Sequence, residues 1–251
     1  MTVESLHALP NGFMGAQRSL LFYGEFSAET TQIPISAWLC RTSDGPVLFD
    51  TGLSPRALPG LRRTDPLARF EDADLLVNRL AALGLVPGDV SIVVLSHLHY
   101  DHAGGADLFP ASELVVQKDE WAYAHYPASF FAPFYYRKNF DLPGYRFRLL
   151  DGDTALAPGL TVLRSDGHTP GHQSLLVELP ESGPVILAGD ACYWRQHLDE
   201  ERVPGVVWNP TLALHSIKRL KTLARLTGAR VFPGHDPEFW RTVKRDPDGY
   251  R

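Results

Sequence analysis

Residues 97–102 read His97-Leu98-His99-Tyr100-Asp101-His102, three imidazoles and a carboxylate within six positions of a chain that carries ten histidines in all. Just upstream, Val90 to Leu95 is a short apolar run rich in β-branched residues, which predicts a buried strand. The cluster therefore sits on the loop that leaves that strand. Residues two apart on such a loop project to one side, so His97 and His99 can offer nitrogens to one cation while Asp101 and His102 turn toward a second. Neutral imidazole and carboxylate suit zinc, cobalt, iron or manganese, and no thiolate cluster stands nearby to suggest a structural zinc knot. The pattern points to a catalytic metal site. The competing reading, a polar surface loop in which Asp101 caps a helix, leaves the crowding of imidazoles without a cause.

Outward from this loop, the sequence alternates strand and helix signals. On the N-terminal side, Ser19 to Phe26 reads as a strand, and Ala37 to Arg41 and Val47 to Asp50 flank Thr42-Ser43-Asp44-Gly45-Pro46 as a hairpin. Leu76, Leu80 and Leu83 recur at helical spacing before Gly84. On the C-terminal side, strands are predicted at Leu114 to Gln117, Tyr145 to Leu150, Leu160 to Arg164, Ser174 to Leu179 and Val185 to Ala188. A long helix is expected from Pro210, with Leu214, Ile217, Leu220 and Leu223 on one side and Gly228 as its stop. A last strand, Arg230 to Phe232, precedes Pro233-Gly234-His235-Asp236. With no internal repeat, low-complexity tract or linker, the 251 residues read as one domain.

Composition removes several function classes. The chain is 44% hydrophobic and 21% charged, ordinary for a globular protein, and its net charge of -5 comes with no basic patch. The densest basic run, Lys218, Arg219, Lys221 and Arg225, lies on a helical pattern and reads as a solvated face, so nucleic acid is not an expected partner. No stretch has the apolar length of a membrane span, and Met1-Thr2-Val3-Glu4-Ser5 lacks the basic and apolar regions of a signal peptide. Two distant cysteines, Cys40 and Cys192, form no CxxC pair and read as reduced thiols. The expectation is a soluble, cytoplasmic protein.

Further motifs carry a resemblance. His97, His99, Asp101 and His102 match in full the H-x-H-x-D-H motif of the metallo-β-lactamase superfamily. Gly167-His168-Thr169-Pro170-Gly171-His172, Leu187-Ala188-Gly189-Asp190 and Phe232-Pro233-Gly234-His235-Asp236 follow in the family's order, and Asp50-Thr51-Gly52 is similar to its early D-T-G turn. The resemblance covers nearly the whole chain and implies an α+β fold, an αββα sandwich of two β-sheets flanked by helices. It further implies two divalent metal ions, zinc above cobalt, iron or manganese. His97, His99 and His168 would hold one ion, Asp101, His102 and His235 the other, with Asp190 bridging. Two cations about 3.5–4 Å apart can share a water and lower its pKa to about 7, which gives a nucleophile at neutral pH. His172 and Asp50 are assigned to supporting the ligands, because ligand imidazoles need their other N–H fixed by an acceptor. His7, His125, His197 and His215 lack this spacing and read as core or surface histidines.

Within the superfamily, the sequence is similar to bacterial N-acyl homoserine lactone lactonases. Ser96-His97-Leu98-His99-Tyr100-Asp101-His102-Ala103-Gly104-Gly105, Gly171-His172-Gln173-Ser174-Leu175, Asp190-Ala191-Cys192-Tyr193 and Ser216-Ile217-Lys218-Arg219-Leu220-Lys221 carry this likeness. It implies a small lactone as substrate, opened by a metal-bridging hydroxide. Tyr193 would stabilise the carbonyl oxygen, and Asp101 would pass a proton to the leaving alkoxide. Alternatives stay open: a lactonase or esterase for another small ring such as a pyridoxine-derived lactone, a glyoxalase II-like thioesterase, or a redox or binding scaffold. The stretch from Tyr126 to Tyr136 is rich in aromatics, and those between Phe130 and Tyr136 are expected to line an acyl-chain groove with Phe13 and Met14, to belong to the core, or to form a homodimer contact.

Overall fold

The computed structural model describes residues 2–245 and 249–251, so Met1 of the N-terminal stretch lies outside the described residues. Eleven strands are found among them, in two sheets. The first has the order β1 (Val3–Gln17), β2 (Thr30–Thr42), β3 (Val47–Phe49), β4 (Ile92–Val94), β5 (Glu113–Gln117) and β6 (Arg146–Leu150). The second contains β7 (Thr154–Ala157), β8 (Leu160–Arg164), β9 (Gln173–Leu179), β10 (Gly183–Leu187) and β11 (Arg230–Phe232), in the order β11-β10-β9-β8-β7. Strands β3 to β6 run parallel, as do β10 and β11, while the other neighbours are antiparallel. Helices α1 (Arg18–Leu21), α2 (Leu58–Thr64), α3 (Leu76–Ala82), α4 (Lys118–His125), α5 (Arg195–Asp199), α6 (Pro210–Thr227) and α7 (Pro237–Thr242) complete the chain.

Period-two alternation along nearly continuous apolar runs assigns every central side chain to one of two buried faces. Trp38, Phe49, Val94 and Val115 of the first sheet meet Val162, Leu175, Val185 and Leu187 of the second in one core between the sheets. Their neighbours Leu39, Leu48, Val93, Leu114 and Val116 point outward and are covered by Leu76 and Leu80 of α3 and Ala124 of α4. On the far side, Leu163 and Ile186 lie beneath Ile217 and Leu220 of α6. The layers are helix, sheet, sheet, helix, the expected αββα sandwich. Buried Gln173 pins the two sheets together, its amide donating to the carbonyls of Leu95 (2.8 Å) and Val115 (3.1 Å).

Helix α6 follows its sequence signals. Asn209 caps it by accepting from the N–H groups of Thr211 and Leu212, Pro210 starts it, and Gly228 ends it at φ 72°. Two expectations are corrected. Ser19 to Phe26 is not a strand: Arg18–Leu21 is a helical turn and residues 22–29 have no regular structure. Leu21 and Phe22 are buried side by side rather than alternately, which a strand at one face of a sheet does not allow. The long strand of this region is β1, which Pro10-Asn11-Gly12 hides in the sequence, since the structure absorbs that apparent turn as a register shift between Pro10 and Phe13.

Candidate metal centre

The sandwich brings five loops to one edge. Asp50 follows β3, Ser96 to His102 follow β4, Asp190 follows β10 and His235 follows β11, while His168 to His172 lead into β9, which runs antiparallel to β10. Strand direction explains the convergence of residues as far apart in sequence as His97 and His235. Asp50 adopts a φ of 60°, sparsely populated for a non-glycine residue and found where surrounding structure over-determines the backbone.

All seven ligand-type residues named from sequence meet here, in two groups. His97, His99, His168 and Asp190 form one, Asp101, His102 and His235 the other, and within each group the donor atoms lie within 4.8 Å of one another. In the first, Nε2 of His168 is 3.2 Å from Nε2 of His97 and 3.1 Å from Nδ1 of His99. Asp190 stands between the groups. Its Oδ2 is 3.3 Å from Nε2 of His168, and its Oδ1 is 3.1 Å from Nε2 of both His102 and His235. Asp101 closes the second group, with Oδ2 3.7 Å from Nε2 of His102 and 3.9 Å from Nε2 of His235.

The donor set fits two divalent ions. Nε2 of His102 and Oδ1 of Asp190 are buried without a hydrogen-bond partner, which is costly for polar atoms unless something fills the space between them. Nδ1 of His168 meets the Val206 carbonyl at 2.7 Å and Nδ1 of His235 meets the Pro34 carbonyl at 2.8 Å. A carbonyl only accepts, so each Nδ1 carries the hydrogen and each Nε2 turns a lone pair inward. The two groups differ in their electrostatics. Burial, with the neighbouring imidazoles, pushes His97 and His99 well below the usual histidine range, which favours the neutral form that binds a cation. Burial also opposes charge on His102, yet Asp190, Asp101 and Asp50 together lift it well above that range.

A surrounding shell fixes these side chains. Asp50 accepts at 2.8 Å from Nδ1 of His102 and at 2.7 Å from the Ser96 N–H. The Ser96 hydroxyl donates to Asp50 and accepts from Nδ1 of His97, both at 2.9 Å. His172 reaches Asp190 through the backbone, its Nε2 accepting from the Asp190 N–H at 2.9 Å while Nδ1 faces the Ser165 hydroxyl at 2.9 Å. Sequence reasoning named Asp50 and His172 for this shell but missed Ser96 and Ser165, whose small hydroxyls carry no pattern of their own.

Tyr193 lies over the first group. Its hydroxyl is 3.3 Å from Nδ1 of His168, and because that nitrogen carries a hydrogen the hydroxyl accepts there and keeps its own hydrogen to donate. Burial, reinforced by Asp190 and Asp101, drives its pKa well above the usual phenol range, so it stays protonated. Tyr193 also lines a cavity of about 150 Å³ whose polar floor is Asp101, Asp190 and His235 and whose apolar walls include Met14, Ile33 and Phe134. The aromatic stretch divides: Phe131 and Tyr135 are buried, at ring separations of 6.1 and 4.7 Å from His99, while Phe134, 5.2 Å from the same ring, is half-buried and also lines the cavity. Phe13 packs against the intersheet core instead of the cavity. Cys192 is buried, which pushes its thiol far above the range of a nucleophile. His197 is a core histidine stacked on Phe22 at 4.8 Å.

Residues 30–235 match the family model of the metallo-beta-lactamase superfamily. The chain belongs to that superfamily. Within it, the chain is 34% identical to the N-acyl homoserine lactonase AttM of Azorhizobium caulinodans over 100% of both chains. It is 36% identical to an N-acyl homoserine lactonase of a Bacillus species over 99% of both. Among solved structures, it matches a quorum-quenching N-acyl homoserine lactone lactonase at 33% identity and a TM-score of 0.89, covering 100% of this chain and 99% of that one. It also matches an N-acyl homoserine lactone hydrolase with the product N-hexanoyl-L-homoserine bound at its catalytic metal centre, at 33% identity, a TM-score of 0.90 and 100% of both chains. No helix among the described residues is long and apolar enough to cross a membrane.

Proposed function

We propose that this chain opens the lactone ring of N-acyl homoserine lactones. The observation that carries the reading is a full-length relationship to lactonases, one of which holds the product N-hexanoyl-L-homoserine at its metal centre, together with a two-group cluster of histidine and aspartate donors here under an apolar-walled cavity. His97, His99 and His168 are taken to hold one ion and Asp101, His102 and His235 the other, with Asp190 shared. Zinc is the proposed ion, and cobalt, iron and manganese satisfy the same nitrogen and oxygen donors. Two buried free thiols, Cys40 and Cys192, suit a reducing cytoplasm.

When bound, divalent ions at this centre activate water at neutral pH and polarise the carbonyl. The chain's own groups do the rest. The Tyr193 hydroxyl donates to the carbonyl oxygen as negative charge develops there. Water adds to the carbonyl carbon, the ring C–O bond breaks, and the Asp101 carboxylate relays the water's proton to the departing ring oxygen, which leaves an acyl homoserine. Met14, Ile33 and Phe134 form the apolar wall along which the acyl chain runs. A substrate panel tests the reading: N-acyl homoserine lactones should be hydrolysed with higher kcat/KM than a pyridoxine-derived lactone or a thioester. A preference for either rival overturns the assignment.

A further inference from the structure

Helix α4 contains a carboxylate that the reaction above does not use. Glu120 is fully buried, and no salt bridge to it forms among the described residues. Its surroundings consist of donors. Oε1 accepts from the Leu98 N–H at 3.0 Å and from the Tyr135 hydroxyl at 3.1 Å, while Oε2 accepts from the Gly171 N–H at 3.3 Å. Leu98 stands between His97 and His99, and Gly171 stands three residues after His168. The approach of the second loop is so close that a Cβ at position 171 would lie 2.3 Å from the Glu120 backbone nitrogen, which excludes any residue but glycine without rearrangement. Burying a carboxylate is expensive, and its retention here coincides with two otherwise unpartnered loop N–H groups from the two loops that must meet.

We infer that Glu120 is a positioning residue that clips the His97–His99 loop to the His168 loop and so sets the three-histidine group, leaving the Asp101, His102 and His235 group to other supports. Those supports are Asp50 behind His102 and the Pro34 carbonyl behind His235. The inference rests on the proposed two-ion centre. Glutamine at 120 keeps the volume but cannot keep the bridge. With its oxygen toward Leu98 and Tyr135, its NH₂ meets the Gly171 N–H, and with the amide turned the other way, its NH₂ meets the Leu98 N–H while the Tyr135 hydroxyl must turn to accept.

The test is zinc affinity by competition with a chromophoric chelator, on wild type and Glu120→Gln, with both step constants resolved. Loss of a supporting group around a ligand typically weakens metal binding by about 10- to 100-fold. That loss is expected at one ion only, with the other within about twofold of wild type. Equal weakening at both ions, the signature of general destabilisation, overturns the clip, and so does wild-type affinity at both. Wild type that takes up no zinc overturns the two-ion centre itself, so the two failures are distinct. If Glu120→Gln does not fold, Tyr135→Phe withdraws one donor while keeping the ring against His99. A smaller loss confined to one ion is then expected, and an equal loss at both, or none, overturns the proposal.

Discussion

The Asp50 carboxylate meets Nδ1 of His102 at 2.8 Å from the side of the ring opposite the centre, while the same residue holds a φ of 60°. The strained backbone and the acceptor act together: the turn after β3 aims the carboxylate, and the carboxylate fixes the His102 ring. Asparagine tolerates this φ but has one acceptor oxygen: turned toward Nδ1 of His102 and the Ser96 hydroxyl it sets its NH₂ against the Ser96 N–H, and turned the other way it leaves His102 without its acceptor. Asp50→Asn should therefore fold with near wild-type thermal stability yet lose about 10- to 100-fold in metal affinity or activity. Zinc titration and kcat/KM check this, and unchanged values in both would remove Asp50 from the site.

For Tyr193, removing a dedicated oxyanion donor typically costs about 100- to 1,000-fold, but an ion at the same oxygen reduces the share that one phenol carries. Tyr193→Phe should lower kcat/KM by roughly 10- to 100-fold with metal content unchanged. Metal analysis and lactone kinetics on the same preparation decide it. Wild-type kcat/KM at full metal content would leave Tyr193 only its packing with Phe22 and Ile33.

Phe134 faces the cavity beside the centre, whereas Phe131 is buried behind it. Phe134→Ala should reduce kcat/KM more for long acyl chains than for short ones, because only longer chains lose apolar contact. Comparing butanoyl and decanoyl homoserine lactones reads this directly, and equal losses at both lengths would show that Phe134 does not sense the chain.

Acid should destabilise the fold partly through His197. Burial lowers its pKa to about 4, while its Nε2 faces the Leu21 carbonyl at 3.0 Å. An unfolded chain protonates this group near 6.5, so between there and about pH 4 the unfolded state binds more protons and stability falls as pH falls. Full passage through that window is worth roughly 3 kcal/mol. Urea denaturation at pH 7 and pH 4.5 should show a shallower loss for His197→Gln than for wild type, and parallel losses would assign the effect elsewhere.

The loop from His97 to His102 was legible because it combines a strand end with ligand-type residues crowded at short spacing. His168, Asp190 and His235 could be named only because their motifs follow in the order of the family the sequence resembles. The strands beneath them were legible for a related reason: continuous β-branched runs such as Ile92–Val94 occur where both faces are buried. Helix α4 was not legible, because among its eight residues only Glu120 and Ala124 are buried, and a buried glutamate breaks the apolar periodicity that marks a helix. Helix α7 was overlooked although Asp236 and Pro237 form a good start, the Asp236 side chain accepting from the N–H groups of Glu238 and Phe239. The division of the aromatic stretch into core and cavity wall depends on which way each ring turns, which residue order alone does not encode.

The most direct test of the two-ion lactonase is hydrolysis of an N-acyl homoserine lactone followed before chelation, after exhaustive chelation and after zinc is returned, with metal counted at each stage. Two ions per chain, activity lost with them and activity restored with them are expected. Full activity in the metal-free chain, or one ion per chain in metal-replete buffer, would contradict the account.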